Sequence, residues 1–240
     1  MIYKNLSDVT KFVADEIATR QKDDISFSLY ADKPVTSDFL SLVIEDCPPL
    51  LMCIKNINYQ VQNLGLILEY RLNIAYTNVM PACVICVTDA RYFKQAVLSS
   101  ALFHRRELFV VFEEELSDGL LSMTKTFTKD PELLSCYLQS VRSEMKRIRG
   151  CAYCGLQMQL SYTCSYKEYR LRVAELNRAI IDIIHEAKQV GIEDWKKAHA
   201  VVSYCVNNWT YGRVSDNPGM EFTAYGAVVK RKAVCMGISL

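Results

Sequence analysis

The chain has 240 residues, half of them hydrophobic and 23% charged, with a formal net charge of +1. That size and balance describe a globular protein with one large or two small cores, and they exclude a disordered chain. A charge this close to zero gives no electrostatic footprint for nucleic acid or an anionic membrane. The one basic cluster, Lys146 to Arg149, reads as a short solvated turn or strand end.

Lys4, Asp8 and Lys11 leave no room for the apolar centre of a signal peptide. The longest apolar run, near Met80 to Val87, is far short of the ~20 residues a membrane-spanning helix needs. Ten cysteines without an export signal suit a reducing compartment, so a cytoplasmic location is expected.

In chain order, Ser7 is a good N-cap for a helix with Val9, Phe12, Val13 and Ile17 on one face. Ile25 to Leu29 alternates as a half-buried strand does. Thr36 or Ser37 caps a second helix that turns Phe39, Leu40, Val43 and Ile44 inward and stops at Pro48 and Pro49. A strand is expected near Leu51 to Tyr59. A clear alternation follows, with Leu66, Leu68, Tyr70, Leu72, Ile74 and Tyr76 on one face and Glu69, Arg71 and Asn73 opposite.

The same order then begins again. Thr88 caps a helix in which Phe93 takes the place of Phe12, and Leu108 to Phe112 repeats the first strand. Ser117 and Asp118 repeat Ser37 and Asp38, and Pro131-Glu-Leu-Leu134 repeats Pro48-Pro-Leu-Leu51. Leu156, Met158, Leu160, Tyr162 and Cys164 share a face, as Leu66 to Tyr76 do. The expected fold is therefore α+β, with two α-β-α-β-β units over residues 1–80 and 81–168.

Residues 169–240 change character. Val173, Leu176, Ile180, Ile184 and Ala187 keep helical spacing, and Gly191 is a natural stop. A further helix from Glu193 is expected to turn Trp195, Ala198, Val202, Cys205 and Trp209 inward. Gly212 to Gly219 has loop composition.

Cys235 follows the basic turn Lys230-Arg-Lys232 and precedes small residues. A thiol at the start of a helix, near cations, has its anion favoured, and the thiolate is the nucleophile. Two pairs, Cys83 with Cys86 and Cys151 with Cys154, offer four thiolates to zinc, but their apolar settings and wide separation favour core thiols, so no metal is expected. Cys53 and Cys136 fall at equivalent repeat positions. His185 and His199 sit beside apolar helical faces, and His104, next to Arg105 and Arg106, reads as surface. Tyr70, Tyr76, Tyr162 and Tyr166 alternate with Leu and Ile as sheet core does, although such a stripe also suits ligand stacking.

From Trp195 to Leu240 the chain resembles the opening of a transglutaminase-like (papain-type cysteine hydrolase) core. The resemblance rests on a helix ending near Trp209, Thr210 and Tyr211, then Thr223-Ala-Tyr-Gly-Ala227, then Val234-Cys-Met-Gly237. In many bacterial proteins of this family, segments like the two repeats precede the core. The resemblance implies that residues 169–240 are a helical arm and the N-terminal part of a papain-like core, that Cys235 is the nucleophile, and that a peptide or protein amide is the substrate. It implies no cofactor. Tyr225 and Gly226 would shape the cleft wall, with Gly237 permitting close packing behind the nucleophile, or else these residues pack the loop onto its helix. The Cys235 backbone N–H is the usual candidate for an oxyanion hole.

The family's histidine and aspartate come later than Leu240, so this chain alone is expected to be nearly inactive. A helix of six residues from Cys235 cannot hold itself. It is expected to pack on the Trp195–Trp209 helix or to be poorly ordered. The alternative is a non-catalytic binding or scaffold module built from the two repeats.

Overall fold

The computed structural model describes residues 2–20, 22–31, 39–189, 193–212 and 220–234. It is an α+β protein. Its elements are β1 (Ile2–Tyr3), α1 (Leu6–Thr19), β2 (Asp24–Tyr30), α2 (Phe39–Asp46), α3 (Leu50–Cys53), β3 (Ile54–Asn63) and β4 (Ile67–Tyr76). These are followed by β5 (Val84–Cys86), α4 (Ala90–Leu102), β6 (Glu107–Glu113), α5 (Ser117–Thr124), α6 (Pro131–Ser135), β7 (Leu138–Arg147) and β8 (Tyr153–Tyr162). The chain continues through α7 (Tyr166–Gln189), α8 (Asp194–Asn208), β9 (Thr210–Tyr211), α9 (Ala224–Val228) and β10 (Lys232–Ala233).

The first sheet has the order β1-β2-β4-β3 and the second β5-β6-β8-β7. In each, the leading short strand pairs in parallel with the next, which pairs antiparallel with the last of the four in sequence. The short strands β1 and β5 were not expected, because two or three residues cannot display an alternation. The expected strand near Leu51 is also altered. Pro49 starts a helical turn with φ of −55° rather than merely stopping the previous helix, and Leu50 to Cys53 form α3 before β3 begins. Proline at a helix start loses no hydrogen bond, since the first N–H groups have no partner within the helix. Pro131 does the same for α6, where Asp130 Oδ1 caps the N–H groups of Glu132 and Leu133 at 3.0 and 3.4 Å.

The two short helices end alike. The Cys53 thiol donates to the Pro49 carbonyl (3.4 Å), and the Cys136 thiol donates to the Glu132 carbonyl (3.5 Å). Both sulfurs are buried, and burial pushes the Cys53 pKa up to about 11. These are core thiols. The helix starts also differ in detail from expectation: α1 has Asn5 at its N-cap, and Asp89, not Thr88, accepts from the Tyr92 N–H (2.7 Å) at the start of α4. Thr36 to Asp38 lie outside the described residues.

Contacts divide the chain into two compact units. One comprises 1–97, 106–124 and 142–159, and the other comprises 98–105, 125–141 and 160–240. In the first unit, α1 lays Val9, Val13 and Ile17 on Ile25, Phe27, Leu29, Leu68, Tyr70, Leu72 and Ile74 of the first sheet. Full burial of each such aliphatic or aromatic side chain is worth about 1.5–3 kcal/mol. Tyr70 stacks on Phe27 with centroids 4.9 Å apart, so this tyrosine belongs to the core. Leu66, expected in the same row, is 53% exposed because β4 begins only at Ile67. Phe93 is fully buried, whereas Phe12 is half-buried against Tyr3, so the matched pair differs in depth.

In the second unit, Ser165 caps the start of α7. The Glu168 N–H bonds to Ser165 Oγ (3.2 Å) and the Tyr169 N–H to the Ser165 carbonyl (2.9 Å). Helix α8 packs on α7 with only part of the expected face. Trp195 and Val202 are 65% and 60% exposed, whereas Cys205 and Trp209 are half-buried together with Ala200, Val201 and Tyr204. The helix carries apolar residues on opposite sides, so periodicity alone had two answers. No helix among the described residues is long and apolar enough to cross a membrane.

Candidate functional site

Cys235, Gly237 and the rest of the segment after Val234 lie outside the described residues. The approach to them is described. Strand β10 pairs in parallel with β9, with Lys232 opposite Thr210 and Ala233 opposite Tyr211. The Thr210 N–H donates to the Arg231 carbonyl (2.8 Å) and the Gly212 N–H to the Ala233 carbonyl (3.1 Å). The Val234 N–H donates to the Glu221 carbonyl (3.1 Å), and Ala233 is fully buried. Three backbone hydrogen bonds thus fix the chain up to the residue before Cys235.

The Thr223 to Ala227 motif forms α9. The Thr223 hydroxyl donates to the Met220 carbonyl (2.7 Å) and accepts from the Gly226 N–H (3.1 Å). Gly226 is required here for space: a Cβ would stand 2.2 Å from the Met220 carbonyl oxygen and 3.3 Å from that of Lys232. Any side chain would push α9 away from the strand that leads to Cys235. Tyr225 is buried and its hydroxyl donates to Glu175 on α7. Burial, with that bond to a carboxylate, raises its pKa to about 12.

Arg172, also on α7, was not singled out in the sequence. It is only 8% exposed, pairs with Glu168 one turn earlier, and lays its guanidinium 4.7 Å from the Tyr137 ring centroid and 5.9 Å from that of Tyr225. Tyr137 has a φ of +62°, a left-handed conformation that non-glycine residues rarely adopt. Its hydroxyl is buried without a hydrogen bond of normal geometry, within reach of the Arg172 and Thr223 side chains, and burial raises its pKa. Tyr137, Arg172, Thr223 and Tyr225 line a small cavity of about 40 Å³, enough for a few water molecules. An i, i+4 Glu-Arg pair is common on exposed helices, so the sequence offered no sign of this burial.

His104 is not a surface residue. Its ring stacks on Tyr162 (4.1 Å, 7°) and Tyr169 (4.6 Å, 25°), and its Nε2–H donates to the Cys136 carbonyl (3.1 Å). Burial lowers its pKa. Tyr162 is thus a stacking partner of His104, with its hydroxyl on the Arg105 carbonyl (2.8 Å), and Tyr166 is 41% exposed. Tyr76 is half-buried beneath the Arg20 guanidinium (5.4 Å). His185 and His199 are both exposed and find partners on their own helices, Gln189 at 3.2 Å and Ser203 at 3.4 Å. None of the three faces the Thr223 to Tyr225 cavity.

Cys83 and Cys86 are exposed while Cys151 and Cys154 are buried. Among the described residues no three His, Cys, Asp or Glu side chains come together as a metal site requires. No protein-family model, curated protein or solved structure matches the chain.

Proposed function

We propose that the chain carries the nucleophile of a transglutaminase-like thiol-acyl site, with Cys235 as the reactive group. The Cys235 sulfur attacks an amide carbonyl of a peptide or protein. The tetrahedral adduct collapses by losing the amine, which takes the proton, and a thioester remains. Water or a second amine then releases the acyl group and restores the thiol.

One observation carries this reading: the anchored approach to Cys235. Gly226 lies hard against the Met220 carbonyl, and Val234 is tied to Glu221, so the backbone entering Cys235 has a fixed origin. Lys230, Arg231 and Lys232 precede it, and cations favour a thiolate. The stacked His104 and the outward His185 and His199 are poor candidates for a base. Removing the base from such a triad costs orders of magnitude in turnover. The expected behaviour is therefore acylation without efficient turnover. All nine cysteines among the described residues are free thiols, which accords with a cytoplasmic setting.

The experiment is acylation with a p-nitrophenyl ester followed by peptide mass spectrometry. One acyl group on Cys235, absent in Cys235→Ser, is expected, with no hydrolysis of peptide amides. Acylation spread over the exposed Cys83 and Cys86 with Cys235 unmodified would overturn the reading.

A further inference from the structure

A second feature of the first unit has no part in the thiol chemistry. A cavity of about 520 Å³, within the size range of small-molecule sites, opens on the face of the second sheet that looks toward α3. Phe109 of β6 and Gln157 of β8, paired across the sheet, form its floor. Met52 of α3 and residues Thr77 to Val79 form its wall.

That wall is held in place before any ligand arrives. The Thr77 N–H donates to the Cys53 carbonyl (2.8 Å), and the Thr77 hydroxyl donates to that of Met52 (2.8 Å). The Val79 N–H returns to the Thr77 hydroxyl (3.1 Å). Arg20, at the left-handed end of α1, donates from its two terminal nitrogens to the Thr77 carbonyl (2.7 Å) and the Val79 carbonyl.

Inside this frame sits Lys146, near the end of β7. This residue is half-buried, and its ammonium makes no ion pair or hydrogen bond among the described residues. Burial lowers its pKa, and the group that partly opposes this is the Cys53 thiol, which burial keeps protonated at neutral pH. A half-buried cation with no anion beside it is costly unless something else supplies the charge. The other charges, Lys55, Glu107 and Glu144, are exposed at the rim.

We propose that this cavity binds a small organic monocarboxylate, its carboxylate on the Lys146 ammonium and its apolar body against Met52, Val79 and Phe109. The rim glutamates accept a distal amide or ammonium and repel a second carboxylate. The shared chemistry is that of a free apolar amino acid and of a peptide C-terminus.

Isothermal titration of the full chain with leucine, N-acetyl-leucine and N-acetyl-leucine amide tests this. At least one of the two acids is expected to bind, and the amide, lacking the carboxylate, to bind about tenfold more weakly or not at all. Preference for leucine identifies a free amino acid, and preference for N-acetyl-leucine identifies a peptide terminus. Lys146→Met is expected to lose the acid while retaining a cooperative unfolding transition, and Lys146→Arg to keep binding within a few-fold. Equal binding of acid and amide, undiminished binding by Lys146→Met, or no binding of either acid up to about 10 mM would overturn the proposal.

Discussion

The two sheets share a strand order but treat their second faces in opposite ways. In the first sheet the pairs Ser26–Arg71 and Ser28–Glu69 face outward, beside Asn73, whose amide donates to Asp24 (2.7 Å). In the second sheet the positions that follow the same register are Phe109–Gln157 and Val111–Gly155. Here Val111 is buried with Ile44 and Met52, beneath α2 and α3. One set of strands presents an open polar groove lined by Asp24, Ser26, Asn58, Gln60, Arg71 and Asn73, while the other is covered on the same side and leaves a cavity where the cover ends. Alternation in a strand thus reports two faces, and the chemistry of the second face decides whether it is wet or covered.

The comparison can be broken from either side. The largest effect is expected at the cover. Met52→Ala removes a side chain 4% exposed and should cost about 2–5 kcal/mol in urea unfolding. Next comes Gly155→Ala. Its Cβ would stand 2.2 Å from Met52 Sδ, and because that atom is near the end of a flexible chain the cost should be about 1 kcal/mol. In the Met52→Ala background this penalty should vanish; a cost that persists would show that Met52 is not the obstruction.

Lys146→Met should stabilise the ligand-free protein by about 0.5 kcal/mol, since a half-buried charge is removed from a site kept for binding. A loss of stability would mean that the ammonium has a structural partner. The smallest effects belong to the first sheet: Ser28→Ala and Glu69→Ala should stay within about 0.5 kcal/mol of the parent. A cost near that of Gly155→Ala would mean that this face too is covered in solution.

The sequence made some of this legible, for identifiable reasons. The β4 alternation from Leu68 to Ile74 was plain because one face meets the core and the other meets water. The α+β class followed from the order of such segments. Helix α3 was hidden because Leu50 to Cys53 are all buried and a wholly apolar run carries no period. The orientation of α8 was ambiguous because Trp195 and Val202 offered an apolar stripe as good as the one that packs. His104 looked exposed beside two arginines, yet its setting comes from Tyr162 and Tyr169, far along the chain. The need for glycine at 226 arose from the Met220 carbonyl, a backbone contact that no side-chain pattern reports.

The central functional claim concerns Cys235, and its most direct test is the pH dependence of alkylation. With iodoacetamide and peptide-level mass spectrometry, Cys83, which is exposed, serves as the internal reference. The account predicts that Cys235 is alkylated with a midpoint clearly below that of Cys83. A midpoint equal to or above that of Cys83 would contradict it.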